Sequence, residues 1–135
     1  MYYRNGVRAE FTDLIGKTIT SIGGLKAGSG DVKIVCSDGS MYRQLHEQEC
    51  CENVNINDVI GDVEDLLNSP ILKAEEVSSD KNPIDYPASE WQDSFTWTFY
   101  HLATIKGYVT IRWYGESNGY YSESVDFYHT NGKEE

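Results

Sequence analysis

Ser94-Phe95-Thr96-Trp97-Thr98-Phe99-Tyr100-His101-Leu102-Ala103 runs through Thr104-Ile105-Lys106-Gly107 into Tyr108-Val109-Thr110-Ile111-Arg112-Trp113-Tyr114, and Gly115-Glu116-Ser117-Asn118-Gly119 leads on to Tyr120-Tyr121-Ser122. Phe95, Trp97 and Phe99 alternate with Thr96, Thr98 and Tyr100. A period of two in β-branched and aromatic residues belongs to strands, where successive side chains point to opposite faces. Ile105-Lys106-Gly107 and Asn118-Gly119 supply turn chemistry at the breaks. Residues 94–103, 108–114 and 120–128 are therefore predicted to form a C-terminal three-stranded meander.

Toward the N-terminus the strand signals are shorter. Residues 17–22 are β-branched and precede Gly23-Gly24, residues 31–36 alternate, and residues 41–46 alternate again after Ser37-Asp38-Gly39-Ser40. Two of these strands are expected to pair as a hairpin through Asp38-Gly39. In 57–67 the apolar residues Val59, Ile60, Val63, Leu66 and Leu67 share one face at helical spacing, which predicts a helix capped by Asn57 or Asp58 and stopped by Pro70. Residues 71–77 read as a further short strand, and 78–90, with Pro83 and Pro87, as a flexible loop. The expected fold class is α+β: a mainly antiparallel β-sheet with a C-terminal three-stranded meander and one or two helices, in a single ligand-binding domain over 1–135.

The composition narrows the partners. A chain of 135 residues supports one core. Its formal charge of −11 sets up a long-range field that repels DNA, RNA and anionic membrane, so general nucleic-acid coating is excluded. Aromatic residues make up 13% of the chain, too many for a disordered acidic tail. No apolar run approaches the about 18 residues that span a bilayer, and Met1-Tyr2-Tyr3-Arg4-Asn5-Gly6-Val7 lacks a signal peptide's apolar stretch. A cytoplasmic protein is expected. Cys50 and Cys51 are adjacent and the cysteine count is odd, which argues against a disulfide framework and for reduced, buried thiols. His46 joins these two in the one cluster with a metal flavour, but adjacent thiols seldom fit one tetrahedron, and no metal is expected.

Catalytic patterns are missing. Asp62 and Asp65 stand three apart on the expected helix and form a solvated face. There is no phosphate-cradling glycine loop, no Gly-x-Ser-x-Gly and no Ser-His-Asp constellation that position supports. No enzymatic activity and no cofactor are expected.

Binding chemistry concentrates in the aromatic region, which holds most of the aromatic side chains between Trp91 and Tyr128 and, at Arg112, the one arginine of the meander. With a two-residue loop in the first hairpin, paired residues sum to an odd number and Arg112 shares a face with Phe95, Trp97, Phe99, Tyr108 and Tyr114. A guanidinium among aromatic faces can pair a phosphate while a ring stacks on a base. With a three-residue loop the parity flips, Val109, Ile111 and Trp113 join the aromatic stripe as core, and Arg112 is a solvated strand residue. Asn118-Gly119 reads first as a turn and second as a hydrogen-bonding loop, beside the hydroxyls of Tyr120, Tyr121 and Ser122. Although they are scattered along the chain, the 22 acids motivate a different class of function, an acidic protein that inhibits a host protein by direct binding or nucleic-acid mimicry.

Three stretches, 46–52 (His46-Glu47-Gln48-Glu49-Cys50-Cys51-Glu52), 61–66 (Gly61-Asp62-Val63-Glu64-Asp65-Leu66) and 94–122, together resemble a small phage-borne family of domains and, within it, the Thoeris anti-defence proteins of the first type. The resemblance covers about residues 12 to 128. It implies a non-enzymatic sponge in the host bacterial cytoplasm that binds cyclic ADP-ribose isomers made by bacterial TIR-domain immune proteins. It also implies binding of cyclic oligonucleotide signals in some members, and assembly as homo-oligomers, dimers or higher. Carried onto this chain, it assigns Arg112 to phosphate, Phe95, Trp97 and Phe99 to stacking, and Asn118 to a polar contact. Arg43 is the next phosphate candidate. The segment 78–90 has no counterpart in the pattern, and the resemblance assigns no role to Tyr86 or Trp91.

Overall fold

Alternation of apolar and polar residues organises every long element of the chain. The computed structural model describes residues 6–83, 94–119 and 121–130. Among these, the strands are β1 (Gly6–Arg8), β2 (Ile19–Gly23), β3 (Asp31–Cys36), β4 (Met41–Leu45), β5 (Asn53–Ile60), β6 (Lys73–Ser79), β7 (Ser94–Thr104), β8 (Gly107–Ser117) and β9 (Asp126–Thr130), with short 3-10 turns at Phe11–Leu14 and Val63–Leu66. They build two antiparallel sheets, one of order β1-β9-β4-β3-β2 and one of order β5-β8-β7-β6.

The two sheets share one core. Val32, Ile34, Tyr42 and Phe127 from the first sheet meet Ile56, Tyr100, Leu102, Val109, Ile111 and Trp113 from the second. Phe11, on the first 3-10 turn, bridges them, with its ring 4.6 Å from Tyr100 and 5.3 Å from Phe127. Trp113 buries completely, and its indole N–H donates to Gln44 Oε1 at 2.7 Å across the sheets. A buried indole must find such an acceptor, because an orphaned donor costs about 1 to 3 kcal/mol.

Several expectations need correction. The helix over 57–67 does not form; residues 53–60 are β5, and only Val63–Leu66 turns helically. Val54 and Ile56 point into the core while Asn53 and Asn55 point out, so the period of two begins before the apolar cluster that suggested a helix. Gly61 then ends the strand at φ +115, where a Cβ would lie 2.5 Å from the carbonyl oxygen of Tyr108. Only glycine fits there. The cap is Asp62, accepting from the Glu64 amide at 3.0 Å, and not Asn57 or Asp58.

The meander is also broken. β7 and β8 form the expected hairpin, but the third strand is β9, which leaves for the other sheet and pairs with β1 and β4. The segment 121–125 crosses over β8 at Gly115, where a Cβ would lie 2.6 Å from the Glu123 carbonyl oxygen. Phe127 then stacks on Tyr42 at 5.2 Å, and Asp126 accepts from Arg8 at 2.9 Å and from the Glu47 amide at 3.0 Å. Burial of Phe127 between Tyr42 and Phe11 draws the strand across.

Cys50 and Cys51 are exposed and joined by a vicinal disulfide, in place of the buried thiols expected; Cys36 is the buried free thiol. The expected loop 78–90 begins later than its sequence suggested, since Ser78 and Ser79 pair with Thr98 and Trp97 in β6. Residues 84–90 of that loop, together with Trp91 and Tyr120, lie outside the described residues.

Candidate ligand-binding site

The hairpin register decides which face each candidate occupies. Thr104 pairs with Gly107, leaving Ile105-Lys106 as a two-residue turn, and Phe99 pairs with Arg112. Arg112 therefore shares the outer face of the four-stranded sheet with Phe95, Trp97 and Phe99, while Tyr100, Val109, Ile111 and Trp113 fill the core behind it. Three rows cross this face: Asn53, Glu116 and Phe95; then Asn55, Tyr114 and Trp97; then Asp58, Arg112 and Phe99. Successive rows on one face step by about 7 Å.

The rings form a continuous ladder. Phe95 lies 6.2 Å from Tyr114, Tyr114 4.6 Å from Trp97, Trp97 6.5 Å from Phe99, and Phe99 6.4 Å from His101. These are offset and tilted contacts of the kind that aromatic quadrupoles favour. Trp97 is fully buried although it faces away from the core, and its indole N–H donates to Asn82 Oδ1 at 3.0 Å.

Arg112 is 9% exposed, and its guanidinium carbon lies 5.3 Å from the Trp97 ring centre. Burying a charge is costly, and among the described residues the Trp97 ring face and the Asn57 carboxamide oxygen, which accepts from Nε at 2.8 Å, help to offset that cost. Asn57 reaches this position through a bulge between Ile56 and Asp58. A guanidinium only donates, so Asn57 presents its oxygen to Arg112 and turns its NH₂ elsewhere.

The other candidates separate. Arg43 sits on β4 in the first sheet, where Asp31 Oδ1 accepts from its Nε at 2.9 Å and Asp31 Oδ2 from its terminal nitrogen. That acid neutralises it on a different face. Asn118 lies beyond the end of β8 and lines a cavity of about 220 Å³ with Cys51, Glu52, Glu116, Ser117 and Tyr121. Gly119 after it has φ +93, as a turn requires. Ser122 and Ser124 bond each other through their hydroxyls at 2.8 Å.

Glu52, which lines the same cavity, belongs to a buried polar network. His46 donates from Nδ1 to the Ser124 carbonyl at 2.7 Å, and its Nε2 lies 2.6 Å from Glu52 Oε2. The Glu52 carboxylate also accepts from the amides of Glu49 and Cys50, both at 2.9 Å. Burial pushes the Glu52 carboxyl up, but His46 and the backbone donors more than offset this and hold it at about 2. Glu123 is treated similarly: burial raises it, and donors including Ser117 at 2.5 Å and Thr96 at 2.8 Å bring it below the usual range. Both acids fasten loops and are fully engaged in doing so.

Sequence reading missed Asn53, Asn55, Asn57 and Glu116, which line a second cleft of about 470 Å³ beside Tyr114. The alternation Asn53-Val54-Asn55-Ile56-Asn57 was the available signal. No group of three or more metal-ligating side chains comes together among the described residues, and no helix there is long and apolar enough to cross a membrane.

Fold and site thus define, among the described residues, a two-sheet antiparallel domain with an aromatic outer face built around the buried Arg112. The chain belongs to the family described as a domain of unknown function (DUF7448), which matches residues 12–127. No curated protein and no solved structure matches it.

Proposed function

We propose that this protein is a non-enzymatic sponge that binds and sequesters cyclic ADP-ribose-type signals in the host bacterial cytoplasm and so counteracts TIR-based anti-phage defence. The observation that carries this reading is Arg112 set against Trp97 within the aromatic ladder. A cyclic adenine nucleotide combines a flat base with a pyrophosphate, and needs a ring to stack on and a guanidinium to pair. The resemblance to the Thoeris anti-defence proteins supports the same ligand. Cyclic oligonucleotides present the same two groups and fall within the reading.

Self-assembly belongs to it as well. Ile60, Val77 and Tyr108 leave apolar side chains exposed on this sheet, and a second copy of the chain would cover them.

Calorimetric titration with cyclic ADP-ribose isomers tests the proposal, followed by heating of the complex and mass analysis of the released ligand. Saturable binding at one ligand per site with intact ligand recovered is the expected result. Chemically altered ligand would replace the sponge with an enzyme, and absence of binding both to every isomer and to cyclic oligonucleotides titrated in parallel would end the reading.

A further inference from the structure

β5 carries carboxamides at Asn53, Asn55 and Asn57, and the first two are exposed on the outer face because Val54 and Ile56 between them are buried. The register sets Asn53 directly opposite Glu116 and Asn55 opposite Tyr114. Facing residues in such a pair bring their Cβ atoms within about 5.5 Å. Glu116 also faces Phe95 from its other side, so it stands between a carboxamide and an aromatic ring. Asn53 and Glu116 line both the cleft of about 470 Å³ and the cavity of about 220 Å³ next to it.

The donor set is selective. A carboxylate only accepts, and its two oxygens match two neighbouring hydroxyls that both donate. Carboxamides donate and accept, so they complete the hydrogen bonding of those hydroxyls without adding charge. The same carboxylate repels phosphate, whose partner Arg112 stands two rows away along β8. An acidic residue that reads ribose hydroxyls beside a separately held phosphate is a recurrent solution in nucleotide sites.

We infer that Glu116, with Asn53 and Asn55, forms a ribose subsite that takes the vicinal hydroxyls of an adenine nucleotide. This rests on the proposed function in placing the phosphate at Arg112 and the base on the aromatic ladder. It adds the third chemical group of the ligand and assigns it to residues outside the stripe.

The test uses nitrogen-15-labelled protein titrated with millimolar adenosine 5′-monophosphate and, separately, its 2′-deoxy analogue. The subsite predicts that the side-chain amide signals of Asn53 and Asn55 move with the ribonucleotide, and that the deoxy analogue binds at least about tenfold more weakly. In Glu116→Gln the two nucleotides should bind alike. Asn55→Ala serves as a second variant and should also lose most of the discrimination. Equal response to both nucleotides in the wild type, or unmoved Asn53 and Asn55 signals, would overturn the subsite. Cyclic ADP-ribose titrated in parallel judges the proposed function on its own. Ribonucleotide discrimination without binding of cyclic ADP-ribose keeps the subsite and removes the sponge. Binding of cyclic ADP-ribose with unmoved Asn53 and Asn55 signals does the reverse.

Discussion

Arg112 and Glu52 are both charged groups taken out of water, and each is tolerated because its partners are in place before any ligand arrives. For Glu52 this has a pH consequence. Its folded value is about 2 against an ordinary 4.5, so its contribution to stability is fully present above about pH 4.5 and is lost as the pH falls through about 2. Urea melts at falling pH should therefore show the wild type converging on Glu52→Gln in that window. A gap that stayed constant from pH 6 to pH 2.5 would mean that the carboxylate is not held by these donors. The Arg112 environment was half legible in the sequence. Parity gave two faces and a two-residue turn selects between them, but nothing local to Arg112 announces that Asn57, on a strand distant in sequence, will supply its acceptor. The helical spacing over 57–67 places Asn57 at a helix cap in the sequence, whereas it stands on β5 facing Arg112 in the structure.

Elements joined by tight turns were the easiest to read. β3 and β4 pair through Asp38-Gly39 as their sequence predicts, and the β7–β8 hairpin follows from aromatic alternation. β5 was misread because Val59, Ile60, Val63, Leu66 and Leu67 fit a helical face equally well over a short window. Its partner β8 lies far along the chain, and only that non-local ladder fixes it as a strand. Gly61 is the pivot that ends it, and it yields a clean comparison. Gly61→Ala combines a left-handed backbone with a clash at Tyr108 and Val109, whereas Gly16→Ala, also at positive φ, meets open space. The first should cost at least about 2 kcal/mol and the second about 1 kcal/mol, as read from urea denaturation midpoints. Equal losses would show that β5 does not depend on the close approach of β8 at that point.

At the scale of the whole molecule, the least legible feature was the passage of β9 into the other sheet. Strand alternation specifies faces but not partners, and the choice follows from burying Phe127 against Tyr42 and anchoring Asp126 to Arg8. The charge of −11 also acts at this scale, but salt screens its repulsion of an anionic ligand beyond the about 8 Å Debye length. A single buried guanidinium acts inside that distance. Affinity for cyclic ADP-ribose should consequently hold steady or rise between about 50 and about 300 mM salt, because salt screens the repulsion more than the pocket. A steep fall would point to a diffuse basic patch. The most direct measurement of the central claim is calorimetry of cyclic ADP-ribose binding to the wild type, Arg112→Ala and Lys106→Ala. Lys106 carries the same charge in the exposed turn of the hairpin, away from the aromatic rows. Loss of a charged hydrogen bond worth about 1.5 to 3 kcal/mol predicts at least about tenfold weaker binding for Arg112→Ala, and wild-type affinity for Lys106→Ala. Undiminished binding by a folded Arg112→Ala protein, or an equal loss in both variants, would contradict a ligand site centred on Arg112.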